Sequence, residues 1–118
     1  MFEQYGRAGL EKAQHHMDLL AELLAAHGIR LTVAVYPWPD QILLRDHPSR
    51  HETVWRAWAA RRGAGFIDCF PSFMAGDPKE VVDREFIGGD IHWNELGHRR
   101  VADVVLGYLE TEERGAPK

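Results

Sequence analysis

Leu10, Ala13, Met17, Leu20 and Leu24, with Leu23 beside the last, recur at intervals of three and four. That spacing predicts an amphipathic helix from about Gly9, stopped by Gly28. Residues 31–36 are short, β-branched and almost continuously apolar, which predicts a strand covered on both faces. Pro37 and Pro39 end it, and a polar stretch follows. Val54, Trp55, Trp58 and Ala59 mark a second amphipathic helix over 51–62, closed by Gly63-Ala64-Gly65. Residues 66–70 then read as a second buried strand, broken by Pro71. An irregular segment containing Gly76, Pro78, Gly88 and Gly89 leads to Asp90-Ile91-His92-Trp93. Asn94 stands where an N-cap is needed, ahead of a last helix whose apolar face is Leu96, Val101, Val104, Val105, Tyr108 and Leu109. The polar end, residues 111–118, is expected to fray.

The order helix, strand, helix, strand, long loop, helix is an α/β alternation, and it predicts parallel strands joined by a right-handed crossover. A chain of 118 residues has room for one domain, taken as 1–118. Two strands that are apolar on both faces do not make a complete parallel sheet, because their edges stay open. The chain therefore reads as part of a sheet, completed by strands from a longer polypeptide or by self-association.

Charge and cysteine content narrow the picture. Fourteen Lys and Arg against eighteen Asp and Glu give a net charge of −4 with the signs interspersed, which argues against a nucleic-acid partner. The densest basic spots, Arg61-Arg62 and Arg99-Arg100, are single pairs on expected helices and read as solvated faces. Cys69 is the only cysteine and sits in an apolar run, so it reads as a small core residue, and a disulfide scaffold is excluded. No apolar run reaches the ~18 residues of a membrane-spanning helix. The first twelve residues include Glu3, Arg7, Glu11 and Lys12 and so lack the apolar stretch of a secretory signal.

The segment with most chemistry is Gly88-Gly89-Asp90-Ile91-His92-Trp93-Asn94-Glu95-Leu96-Gly97-His98-Arg99. An Asp and a His two residues apart on a turn before a helix can meet. The carboxylate then takes the proton of one ring nitrogen and leaves the other as a base suited to activating a hydroxyl near neutral pH. His92 and His98 with Asp90 or Glu95 are zinc-capable ligand types. A spacing of six puts His98 on the helix and away from the loop, so no metal and no cofactor is assigned.

The string Asp90-x-His92-Trp93-Asn94, followed by Leu96-Gly97-His98, resembles the last motif block of the SGNH (GDSL-type) hydrolases. Most members carry Asp-x-x-His there, and Gly89 occupies that acidic position here. The form Asp-x-His-Trp is similar to the branch of alginate O-acetyltransferase-like, polysaccharide-modifying proteins. Upstream, Tyr36-Pro37-Trp38-Pro39, Trp55, Trp58 and residues 66–71 look like the carboxyl half of such a domain, so that the resemblance covers about residues 9–110. It implies a flavodoxin-like three-layer αβα fold with a parallel sheet, here without its amino-terminal strands. It implies His92 as catalytic base, Asp90 as its orienting acid, and an acyl ester, an acetyl group on carbohydrate, as substrate. The branch often works outside the cytoplasm, although nothing in these residues assigns a compartment.

The family's nucleophile lies in a Gly-Asp-Ser block, which this sequence does not contain. Its two serines are Ser49, expected to cap a helix, and Ser72, which follows Pro71 at a strand's carboxyl end and reads as a turn residue. Trp38, at the end of the first strand, and Trp93, beside the base, are the candidate substrate-binding aromatics. Asp68 stands inside an apolar strand as a candidate hydrogen-bonded carboxylate. Two functions follow as expectations: the Asp/His part of an esterase or O-acyltransferase, or a catalytically inactive module that self-associates or pairs with a partner.

Overall fold

The computed structural model describes residues 6–115. Along the chain it forms α1 (Arg7–Ala26), β1 (Thr32–Val35), α2 (Pro39–Leu43), α3 (Arg50–Arg62), β2 (Gly65–Asp68), α4 (Phe70–Phe73), α5 (Pro78–Glu85) and α6 (Glu95–Gly115). β1 and β2 pair in parallel as a two-stranded sheet. The α/β character is as expected. The strand is not covered on both faces: Thr32 and Ala34 are exposed, Val33 is half-buried and Val35 is buried. No described helix among these residues is long and apolar enough to cross a membrane.

The chain divides into two compact units. Of the described residues, the first comprises 6–33 and 54–66. Its helices α1 and α3 are tied through Asp18, whose Oδ1 accepts from Trp58 Nε1 at 2.9 Å and Arg62 Nε at 2.8 Å. The Arg62 and Trp58 bonds hold the Asp18 carboxyl below its usual range. Trp58 is buried against Trp55 in an edge-on contact, as the spacing of the two predicts. Arg62, read from sequence as solvated, is thus a tie between helices.

The second unit comprises, of the described residues, 34–53 and 67–115 and holds the main core, built on Ile42, Ile67, Cys69, Phe73, Val81 and Phe86. Three short helices appear where sequence patterning shows none. α2 places Ile42 in the core. At β2 the strand stops at Asp68, because its Oδ1 accepts from Phe70 N at 2.9 Å and turns the chain into α4. Asp77 caps α5, its side chain accepting from Glu80 N at 3.1 Å, and Pro78 occupies the first turn. Ser49 caps α3 reciprocally: Oγ accepts from Glu52 N at 3.2 Å while Glu52 Oε1 accepts from Ser49 N at 2.8 Å. Burial works against the Glu52 charge, yet its hydrogen bonding with the Asp68 side chain, the His47 ring and the Ser49 backbone N–H outweighs it and lowers the carboxyl's pKa. Cys69 is fully buried, and burial raises its thiol pKa to about 11, so the expected core thiol is unreactive as well as small.

On α6, Val101, Val104, Val105 and Tyr108 pack on the core, but Leu96 and Leu109 are exposed. The helix continues to Gly115, so residues 111–115 of the expected frayed tail are helical, and the remainder lies outside the described residues. Gly97 sets how closely this helix approaches α5. A Cβ there would stand 2.3 Å from the Glu85 carbonyl oxygen and 2.8 Å from Trp93 Cβ. Gly97→Ala is expected to destabilise the chain by about 1–3 kcal/mol despite the better helix propensity of alanine. Urea denaturation checks this, and an unchanged or higher midpoint would show that α5 and α6 are not in such close contact.

Candidate functional site

The segment between α5 and α6 is a small hairpin. Phe86 pairs antiparallel with Trp93, Ile87 N donates to His92 O at 3.0 Å, and Asp90 N donates to Ile87 O at 2.9 Å. Gly89 takes φ +73°, a left-handed turn conformation that glycine adopts without strain. The tip therefore reverses between Ile87 and Asp90 and projects residues 90–92.

At that tip a single oxygen, Asp90 Oδ1, accepts from His92 N at 3.1 Å and meets His92 Nδ1 at 2.5 Å. The backbone bond is a local Asx-type closure, which Asp favours in turns. It brings the ring of the residue two positions on to the same carboxylate. The His92 side-chain and backbone hydrogen bonds hold the Asp90 carboxyl below the usual carboxylate range, so it is anionic at neutral pH. A carboxylate can only accept, so the shared proton sits on His92 Nδ1, and in the neutral form of the ring Nε2 is the nitrogen that carries the lone pair. Asp90 and His92 are the two catalytic candidates from sequence, and the fold brings them together. Their side chains are 44% and 73% exposed, which leaves the imidazole open to approach by a second group.

The remaining candidates separate. Trp38 is half exposed and lines a cleft of about 340 Å³ with Asp40, Asp83, Phe86 and residues 87–91, so it shares that cleft with Asp90. His92 is not among the lining residues. Trp93 is on the core side: its ring stacks on Phe73, meets Tyr36 edge-on at 4.5 Å and contacts His98. Trp93 anchors the hairpin to the core rather than lining the cleft. Its buried Nε1 has no hydrogen-bond partner among the described residues. No group of three or more His, Cys, Asp or Glu among the described residues is arranged to hold a metal ion.

Both serines are engaged in structural bonds. Ser49 is the buried α3 cap. Ser72, which lies in α4 rather than in a tight turn, accepts through Oγ and its carbonyl from Arg100 Nη1 at 3.1 and 2.8 Å. Arg100 also forks onto Glu85, with Nε and Nη2 at 2.7 and 2.6 Å from the two carboxylate oxygens. By its sequence position Arg100 reads as part of a solvated face. Its partner is fifteen residues away and nothing in the local pattern points to it.

Asn94 is the expected cap and more. Its Oδ1 accepts from Leu96 N at 2.9 Å and Gly97 N at 3.1 Å. Its Nδ2 reaches back across the hairpin to Arg84 O at 2.7 Å and Phe86 O at 3.4 Å. Comparison of the chain with family models, curated proteins and solved structures finds no match to any of them.

Proposed function

We propose that this chain supplies the Asp/His part of an SGNH-type Ser-His-Asp triad, in an esterase or O-acyltransferase acting on acyl, most simply acetyl, esters of carbohydrate. The observation that carries the reading is the contact between Asp90 Oδ1 and His92 Nδ1 within an Asp-x-His-Trp string. The anionic Asp90 holds the imidazole in the Nδ1–H form, and Nε2 takes the proton of a serine hydroxyl as Oγ bonds to the acyl carbon. The same proton passes to the departing alkoxide oxygen as the ester C–O bond breaks. Water or a second sugar hydroxyl then attacks the acyl-serine, His92 Nε2 taking the attacking group's proton and returning it to the serine Oγ as the acyl–Oγ bond breaks. The serine comes from a segment outside these residues, because Ser49 and Ser72 are committed to a helix cap and to Arg100. The fold assigned on this reading is the flavodoxin-like αβα sandwich, with β1 and β2 as two of its strands and Trp38 beside the acyl acceptor.

Combining the chain with an SGNH amino-terminal segment that carries Gly-Asp-Ser tests the reading. Turnover of p-nitrophenyl acetate is expected from the mixture and not from either part, and His92→Ala in the mixture is expected to remove it. Turnover that survives His92→Ala would end the assignment.

The second reading, an inactive interaction module, is favoured by a different observation. α1 has no fully buried residue, Leu19, Leu23 and Ile29 are exposed, and each of the two strands has one unpaired edge among the described residues. A chain that sediments as a dimer and gives no turnover with the complementing segment would support that alternative.

A further inference from the structure

The hairpin that carries Asp90 and His92 has two feet, the last turn of α5 and the first turn of α6. The carbonyls at the end of a helix and the N–H groups at the start of one both lack intrahelical partners. One side chain answers both deficits here. Asn94 Oδ1 accepts from the first N–H groups of α6, while Nδ2 donates to Arg84 O and Phe86 O at the end of α5. Its backbone N also donates to the intervening carbonyl, Glu85 O, at 3.0 Å.

We propose that Asn94 is a positioning residue for the Asp90–His92 pair: its amide fixes the spacing of the hairpin's feet, and that spacing holds the His92 ring on Asp90. The proposal builds on the triad reading above, but concerns only the geometry of the pair. The residue type carries the argument. A helix cap needs an acceptor alone, and Asp or Ser serves as well as Asn. Only a primary amide offers an acceptor to α6 and two N–H donors to α5 from one short side chain. Gly97 agrees with this, since the close approach of α6 to Glu85 O puts the two feet within reach of a single side chain.

The test separates the cap from the clasp. Asn94→Ser keeps an acceptor for α6 and drops the donors to α5. Asn94→Asp keeps the acceptor and sets a carboxylate oxygen against two carbonyls. Two-dimensional long-range ¹H–¹⁵N correlation spectra of the whole chain report which nitrogen of His92 is protonated. The wild-type chain is expected to show the Nδ1–H form. Both variants are expected to keep the α6 helix, read by circular dichroism, and to shift His92 towards the Nε2–H form of free imidazole. If either variant does not fold, the other is read in the same way. If neither folds, the spectra of Asn94→Gln decide: Gln retains both amide functions, and a wild-type His92 pattern supports the clasp while an Nε2–H pattern overturns it. Folded Ser and Asp variants that retain the wild-type pattern would make Asn94 a cap only and leave the triad reading intact. A wild-type chain without the Nδ1–H form would overturn the pair itself, a distinct result.

Discussion

On the proposed triad reading, Asp90→Asn is expected to lower p-nitrophenyl acetate turnover by the chain combined with the Gly-Asp-Ser segment on the order of 10³-fold with little change in KM. The substitution keeps the shape of the side chain. It replaces the anionic acceptor at His92 Nδ1 by an amide whose N–H can donate to that nitrogen. The ring then carries its proton on Nε2, where the serine hydroxyl needs a lone pair. A buried aspartate in this role is worth about 10⁴-fold. Asp90 and His92 are partly open to water, which can take over part of the orienting bond, so a smaller loss is expected here. Neither residue needs to bind the acyl group, which is why the loss falls on kcat. Steady-state kinetics with p-nitrophenyl acetate measure it. A change below about threefold would mean that Asp90 closes the turn and does not orient the base.

Arg100→Ala is expected to be the most destabilising single change near the site, costing about 3 kcal/mol and lowering Tm by roughly 10 °C. Glu85 is nearly fully buried, and the Arg100 fork meets both of its oxygens while also donating to Ser72. Removing the guanidinium leaves a buried carboxylate whose remaining ion pair among the described residues is with Arg84 Nη2, at 3.6 Å. The neighbouring Arg99 is the internal control. It is largely exposed and lies 3.8 Å from Glu95, so Arg99→Ala is expected to cost less than about 0.5 kcal/mol. Calorimetry of the two variants decides between a structural tie and a solvated pair. Equal melting temperatures would return Arg100 to the surface role its sequence position suggests.

Periodicity was sufficient for the long helices, because α1, α3 and α6 repeat their apolar positions over several turns. Asn94 and Ser49 were legible as caps from residue type and place alone. The Asp90–His92 contact was legible because it is local: a turn, a carboxylate and a ring two residues on. α2, α4 and α5 are too short for a repeat to show. Asp77-Pro78 is a helix start, but within a segment marked by Gly76, Gly88 and Gly89 its proline reads equally as a loop residue. Long-range pairings left no trace in the pattern. Arg100 with Glu85 and Asp18 with Trp58 are pairs whose members look, each in its own helix, like ordinary surface or core positions. β1 is covered on one side only, although its sequence predicts two covered faces, because β-branched residues suit a pleated strand whether or not its second face is covered. The sequence shows Trp93 as the neighbour of His92 but not the contacts of its ring with Phe73 and Tyr36, which lie far off along the chain.

The claim that this chain contributes a base and its orienting acid, but not the nucleophile, is tested most directly by the pre-steady state of p-nitrophenyl acetate hydrolysis by the 118-residue chain alone. Slow, linear release of p-nitrophenol is expected, diminished by His92→Ala and indifferent to Ser72→Ala, since an imidazole without a serine or an oxyanion site has no rapid acyl-enzyme step. A burst stoichiometric with protein and abolished by Ser72→Ala would contradict it and make Ser72 the nucleophile.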